Sequence, residues 1–410
     1  MIVISLNVFF DSFQKICCNF ADTKSENDMI YRRLGRTGLQ VSVIALGCEG
    51  FIGKNEAEVL KDMDFAISEG VNFIDMYTSN PDVRRNIGTA LRGRREQFVI
   101  QGHLCTTWEN DQYLRTRDIN KVVPAFDELL EQMQTDYMDI GMIHYVDAMD
   151  DYEAVMQGPV MEFAKQLKVE GRIHYIGMSS HNPKVAIRAA ESGLIDVLMF
   201  SVNPAYDLQP ANEDVNVFWD ENAWKQTLNN IDPDREHLYS LCEQLGVGLD
   251  VMKPYGGGDL LSEERSPFGK ALSPVQCIDY ALSRPGVQSV MVGVHCQDEL
   301  KQALAWLTAT DEERDYTEAM RGVTRYSWKG HCMYCGHCAP CSVGIDIASV
   351  NKFYNLCEAQ GTIPETVRDH YGLLKHHASE CIQCGLCEER CPFGVNIIES
   401  MGCAAEKFGY

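Results

Sequence analysis

Eight of the chain's seventeen cysteines fall in two short runs near its C-terminus. Cys332, Cys335, Cys338 and Cys341 are each separated by two residues. Cys381, Cys384 and Cys387 keep that spacing, and Cys391 follows after three more, with Pro392 behind it. Thiols packed this densely are metal ligands. A structural zinc ion takes four ligands, commonly as two Cys-x2-Cys knuckles separated by a short span. Four cysteines at near-minimal spacing suit a cuboidal iron–sulfur cluster better. A disulfide framework fits worse still, because packed Cys-x2-Cys repeats in a long chain favour metal chemistry. Such clusters pass single electrons, so these residues point to redox work.

The second run resembles that of the bacterial ferredoxins, in which three thiolates hold one [4Fe–4S] cluster and the fourth reaches across to its neighbour. The resemblance implies two clusters, one on Cys332, Cys335, Cys338 and Cys391, the other on Cys381, Cys384, Cys387 and Cys341. In one departure, only two residues precede Cys341, and Ser342 stands where proline is usual. Between the runs, residues 342–380 read as helices, with Thr362 as an N-cap before Pro364. Cys357 sits on an apolar face and reads as core rather than ligand. No Pro/Ser-rich linker occurs near residues 327–330, so the module is expected to dock firmly on what precedes it.

At 410 residues the chain exceeds one ordinary core; a barrel of about 250–300 residues plus a small module fits it. The 36 basic and 59 acidic side chains give a net charge of −23. A nucleic-acid or anionic-membrane surface would need the opposite sign. Nothing reaches the roughly eighteen consecutive apolar residues of a membrane span. Residues 1–28 begin apolar but lack a basic n-region and meet Asp11 early, so they read as an extension rather than a secretory signal. Unpaired cysteines and cluster motifs indicate a reducing, cytoplasmic setting in an anaerobe.

Short apolar, β-branched-rich runs occupy residues 41–47, 72–77, 97–104, 139–145, 173–180, 197–203, 247–254 and 289–295. Helical patterns separate them; residues Val122, Phe126, Leu129, Leu130 and Met133 form one such apolar stripe. Eight alternations predict a (β/α)8 TIM barrel over residues 29–330, followed by a small α-helical ferredoxin-like iron–sulfur domain at 331–410. A doubly wound sheet would need a G-x-G-x-x-G after a strand; the glycines at 256–258 do not make one. In a parallel barrel the reactive groups gather where strands end. Those positions hold Glu49, Asp75, Tyr77, His103, His144, Ser179, Ser180, His181, Lys253 and His295. The long acidic and aromatic connection at 204–234 either covers the mouth or is a surface excursion, and its length and composition leave both readings open.

From Tyr31 onward the chain resembles the aldo-keto reductases, specifically the bacterial branch fused to a ferredoxin-like tail. Residues 31–47, 72–91, 137–144, 171–181, 252–260 and 285–294 carry the resemblance, together with the cysteine runs. It implies a tetrad of Asp, Tyr, Lys and His, in which tyrosine protonates the carbonyl. Asp75 and His144 match two members; Asn80 falls at the tyrosine position and His103 at the lysine. Asparagine cannot release a proton at neutral pH. Tyr77, of the same strand parity as Asp75, or His103 is therefore expected to transfer it. On the cofactor side the family's Ser-Asn pair reads Ser179-Ser180, its strand-six glutamine reads Met199, and no basic residue follows Gly293. With Ser179, Ser180, Lys253 and Gly293 as candidates, NAD(P)H is possible but tight binding is not expected.

The expected function is an iron–sulfur oxidoreductase acting on a small carbonyl-like substrate at the barrel mouth. Electrons would pass through two [4Fe–4S] clusters to or from a ferredoxin- or flavodoxin-like carrier. Two alternatives come from other classes. Asp75, His103, His144, His181 and Glu49 could hold a divalent ion for non-redox isomerase, lyase or hydrolase chemistry, with structural clusters. Alternatively the chain is a non-catalytic electron-transfer subunit.

Overall fold

The computed structural model describes residues 29–207, 231–316, 319, 332, 338–360, 363, 365–391 and 394–410. Residues 1–28, most of the 204–234 connection, Cys335, the 327–330 boundary, Thr362, Pro364 and Pro392 lie outside the described residues. Eight parallel strands close into a barrel: β1 (Ile44–Gly47), β2 (Phe73–Met76), β3 (Val99–Leu104), β4 (Met138–Ile143), β5 (Ile173–Ser180), β6 (Val197–Ser201), β7 (Gly248–Met252) and β8 (Val287–Gly293). β8 pairs with β1, and the remaining neighbours follow chain order. Each strand overlaps one of the predicted runs. The first run is split, however: Gln40–Ser42 pairs antiparallel with Tyr31–Arg33, and only Ile44–Gly47 joins the barrel.

Register carries the site. Gly47 pairs with Asp75, Asp75 with Gln101, and Gln101 with Ile140. Because side chains alternate along a strand, His103 projects on the same face as Gln101, one step nearer the strand's C-terminal end. The helix Ile119–Met133 packs outside, burying Val122, Ala125, Phe126, Leu129, Leu130 and Met133 as its apolar stripe predicts, with Asp118 accepting from the Asn120 N–H at its start. In the helix Pro81–Ala90, a Cβ on Gly88 would lie 2.7 Å from the Met133 carbonyl. These two helices approach more closely than any side chain there would permit.

A two-stranded ribbon follows β3, Thr106–Glu109 against Gln112–Arg115. Asn110 and Asp111 join its strands at φ 52° and 59°, the paired positive values of a tight hairpin turn. The tail has its own core, in which Val350, Cys357, Met401 and Ala404 are buried and Tyr371 stacks on Phe408 at 3.8 Å. Cys357 is fully buried there, as its apolar position predicts. Among the described residues no helix is long and apolar enough to cross a membrane.

Candidate functional site

The barrel interior is polar at mid-height. Gln101 donates through Nε2 to Asp75 Oδ1 at 2.9 Å and to Asp250 Oδ2 at 3.0 Å. Complete burial, reinforced by neighbouring Asp75, pushes the Asp250 carboxyl well above the usual range despite the Gln101 bond. Above Gln101 a longer chain begins. Asp75 Oδ1 lies 2.8 Å from His103 Nε2, His103 Nδ1 lies 2.6 Å from His144 Nδ1, and His144 Nε2 lies 2.6 Å from the Tyr113 hydroxyl. One pattern of protons satisfies every link with neutral rings. A carboxylate only accepts, so His103 donates from Nε2; its Nδ1 then accepts from His144, whose Nε2 accepts the Tyr113 O–H. All four donors and acceptors point one way.

Tyr77 lies one residue beyond the end of β2. Its ring stacks 6.0 Å from His144 at an interplanar angle of 13°, and stands edge-on to His103 and Tyr113. Burial foremost, then the charge of Glu49 and its hydrogen bond, push the phenol well above its ordinary pKa. Tyr77 is therefore a wall of the site and a poor acid. Asn80 has a different task. Its side chain caps the helix Pro81–Ala90, accepting from the Asp82 and Val83 N–H groups at 2.9 and 3.1 Å, with Pro81 at the first helical position. Asn80→Ala should cost about 1 kcal/mol in a denaturant titration, the usual worth of a lost N-cap. A cost near zero would mean that the cap is idle.

The cofactor-side residues are already engaged. Ser179 Oγ accepts the Tyr145 N–H at 2.7 Å. Ser180 Oγ donates to Asp147 Oδ1 at 3.0 Å and accepts from the Asn182 N–H at 3.1 Å. Met199 lies deep in the barrel, 3% exposed. The Lys253 carbonyl takes the Asn203 amide at 2.9 Å, and Gly293 ends β8. Beyond it, His295 pairs with Glu299 at 3.2 Å and with Lys352 of the tail at 2.5 Å. Ser180 is committed to Asp147 and Met199 offers no amide, whereas the Ser179 hydroxyl accepts from Tyr145 and keeps its own proton to donate, so these residues offer a nicotinamide carboxamide fewer hydrogen bonds than the family's set. Ser180 instead supports a dyad. Asp147 accepts from the His181 backbone N–H at 2.6 Å and from His181 Nδ1 at 2.9 Å. His181 Nε2 is buried without a partner. Burial, with Lys253 and Arg235 nearby, lowers the imidazole pKa despite Asp147. The Tyr145 ring stands between His181 (5.3 Å) and His144 (6.2 Å).

The five side chains expected to share a divalent ion do not form one set: Glu49 turns to Tyr77, His181 to Asp147, and the remaining three bond one another. Among the described residues no three His, Cys, Asp or Glu converge on a single-ion site. The cysteine runs lie in the tail. Cys341, Cys381, Cys384 and Cys387 line one cavity in the tail, drawing one thiol from the first run and three from the second. Four thiols around one cavity are the donor set that a [4Fe–4S] cluster takes. Ser342 bonds the Cys384 thiol at 3.3 Å and, with the Leu386 N–H, holds its pKa below the ordinary value. Cys332 and Cys391 pack with Cys338 against the same core. The ribbon reaches across to this region, where the Cys341 N–H donates to Gln112 Oε1 at 2.8 Å and Gln112 Nε2 donates to the Cys341 carbonyl at 3.3 Å.

The model of the aldo/keto reductase family matches residues 43–274, more than half of the chain. The chain belongs to the aldo/keto reductase family. A 4Fe–4S binding domain matches residues 374–395. The Bacillus subtilis oxidoreductase YqkF is 24% identical over 328 residues, spanning 73% of this chain and 98% of its own length. The aldo-keto reductase YhdN of the same organism is 23% identical over 326 residues, 70% and 92% of the two chains. The structure of the aldo-keto reductase AKR11C1 from Bacillus halodurans, in its holo form, superimposes with a TM-score of 0.55 at 22% identity, over 73% of this chain and 98% of that one. It shares the barrel fold.

This aldo/keto reductase is thus an oxidoreductase carrying a 4Fe–4S tail. The structure brings Asp75, His103 and His144 together and sets Tyr77 beside them, while Asn80 serves the helix. Reading by strand ends missed Tyr113 and Gln112, which lie on the inserted ribbon. Their signal was Asn110-Asp111 between Thr106–Glu109 and Gln112–Arg115, two short runs around a two-residue turn.

Proposed function

We propose that this enzyme interconverts a small carbonyl compound and its alcohol at the barrel mouth, with electrons passing singly through two [4Fe–4S] clusters instead of as hydride from a nicotinamide. The observation that carries this reading is the one-way chain Asp75–His103–His144–Tyr113. It presents a phenol where the family's tyrosine position holds a helix cap. Cys341, Cys381, Cys384 and Cys387 would hold one cluster, and Cys332, Cys335, Cys338 and Cys391 the other. When bound, each supplies or accepts one electron, exchanged with a ferredoxin- or flavodoxin-like carrier.

The residues account for the protons. Oxidising an alcohol releases two electrons and two protons as the O–H and C–H bonds break and C=O forms. Tyr113 takes the hydroxyl proton while its own passes to His144 Nε2; His144 Nδ1–H passes to His103 Nδ1, and His103 Nε2–H to Asp75. Reduction reverses each transfer. The carbon-bound hydrogen needs a second base, and the candidate is neutral His181 across Tyr145 from His144, whose buried, unpartnered Nε2 would take that proton once Tyr145 yields.

The test uses anaerobic protein with both clusters reconstituted and reduced by dithionite, mixed with aldehydes, enones and ortho-quinones. At least one acceptor should restore the oxidised visible spectrum and yield its reduced product, and NADPH should show no saturable binding by fluorescence. If the clusters never exchange electrons with any acceptor, or NADPH alone drives turnover, this reading is wrong.

A further inference from the structure

The ribbon after β3 touches both ends of this chemistry with adjacent residues. Tyr113 bonds His144; Gln112, 9% exposed, grips both polar groups of the Cys341 peptide. Neighbours along a strand project to opposite faces, so one faces the barrel mouth and the other the tail. A carboxamide that makes two hydrogen bonds in a buried contact fixes separation and orientation together, and leaving either group unmade there is costly. The residues are 229 positions apart in the chain, so nothing local imposes the contact. We propose that Gln112 is a positioning residue that holds the Cys341 loop in register with the Tyr113 end of the proton chain. The link Cys341–Gln112–Tyr113 is then the electron path into the site.

The path is short in non-covalent terms. From Cys341, which would be a cluster ligand, one hydrogen bond to the Gln112 carboxamide and then only covalent bonds lead to Tyr113. Bonds and hydrogen bonds carry tunnelling electrons far better than equal lengths of empty space. Each electron delivered to a carbonyl oxidises a cluster previously reduced by dithionite or a carrier, and Tyr113 supplies the oxygen-bound proton beside it. This inference rests on the proposed function.

A second contact between ribbon and tail serves as the control. Asp111 at the ribbon tip pairs with Lys375; both side chains are exposed, so the pair contributes to docking only weakly. Gln112→Met preserves length and packing while deleting both hydrogen bonds, and Gln112→Leu repeats the test in a second background. In full-length, cluster-loaded protein, both variants should raise one cluster's midpoint potential in an EPR-monitored titration. Loss of the contact would admit water to the Cys341 loop, and added hydrogen bonding and solvent exposure at a cluster held there would raise its potential. Both should also slow reoxidation of dithionite-reduced protein by an ortho-quinone about tenfold, the scale of one lost hydrogen-bonded contact. Lys375→Ala should change neither. Unchanged potential and rate in the Gln112 variants, or an equal loss in Lys375→Ala, would overturn the proposal. Should wild-type protein pass no electrons to any acceptor, the reading of function and the electron path fall together. The potential then still decides whether Gln112 positions Cys341.

Discussion

Tyr113→Phe should slow substrate-coupled reoxidation of the reduced clusters by roughly 10²–10⁴-fold, the range for loss of a positioned general acid–base group. The change removes one oxygen. The ring keeps its edge contact with Tyr77 at 6.2 Å, and Gln112 keeps its hold on Cys341, so fold and cluster content should stay as they were. What is lost is the outer terminus of the chain, leaving His144 Nε2 facing solvent or substrate with no phenol between. His103→Ala breaks the same chain at its centre and should cost a comparable factor. The double variant should then be little worse than either single one, because members of one relay do not act additively. Tyr77→Phe distinguishes the two phenols. Burial foremost, then the charge of Glu49, push its pKa well up, so removing the hydroxyl should change the rate by less than about tenfold. Stopped-flow absorbance with an ortho-quinone reads all four proteins. A large loss in Tyr77→Phe with none in Tyr113→Phe would transfer the role to Tyr77 and break the proposed relay.

Why Tyr77 and Asn80, rather than Tyr113, stood out in the sequence has a physical answer. Strand ends are legible because β-branched runs alternate with helical stripes, and the parallel barrel then forces the residues after each run to one mouth. Asp75, His103 and His144 follow directly from that rule. The rule says nothing about side chains that enter the mouth from an insertion, and the ribbon is one. Its turn was readable, since Asn110 and Asp111 tolerate positive φ, but its docking was not, because Gln112 meets a partner 229 residues away. Asn80 shows the converse failure. Position within a family pattern suggested the site, whereas the local string Asn80-Pro81-Asp82 is that of a capped helix start with proline at its first position. Similarly, Ser179 and Ser180 stand where a carboxamide would be gripped, yet each hydroxyl is engaged by the backbone or by Asp147, side by side with it in the fold. The cysteines were legible for the opposite reason: four thiols within eleven residues leave few arrangements other than a cluster.

Asp207→Ala should destabilise the barrel by roughly 3–5 kcal/mol, the cost of stripping the partner from a buried charge. The Asp207 carboxylate is wholly buried and accepts from Arg235 Nη1 at 3.3 Å, Tyr239 Oη at 2.6 Å and Tyr280 Oη at 3.0 Å. Removing it orphans the Tyr239 and Tyr280 hydroxyls and strips the counter-charge from the Arg235 guanidinium, which is 4% exposed, lacks a partner at Nε and keeps the Ser201 carbonyl at Nη1, 3.0 Å away. Native domains are stable by only about 5–15 kcal/mol, so this loss should move the urea midpoint far down. The backbone at Asp207 matters as well. Its carbonyl accepts the Asp232 N–H at 2.7 Å, pinning both ends of the connection that follows β6 beside one buried anion. Adding Arg235→Met to Asp207→Ala should recover part of the loss, because deleting the stranded charge removes the largest penalty, while the two phenols still lack an acceptor. No recovery would mean that the cavity, rather than the unpaired guanidinium, dominates the cost. A loss below about 1 kcal/mol in Asp207→Ala itself would mean that water reaches Arg235 and that the network does not anchor this side of the barrel.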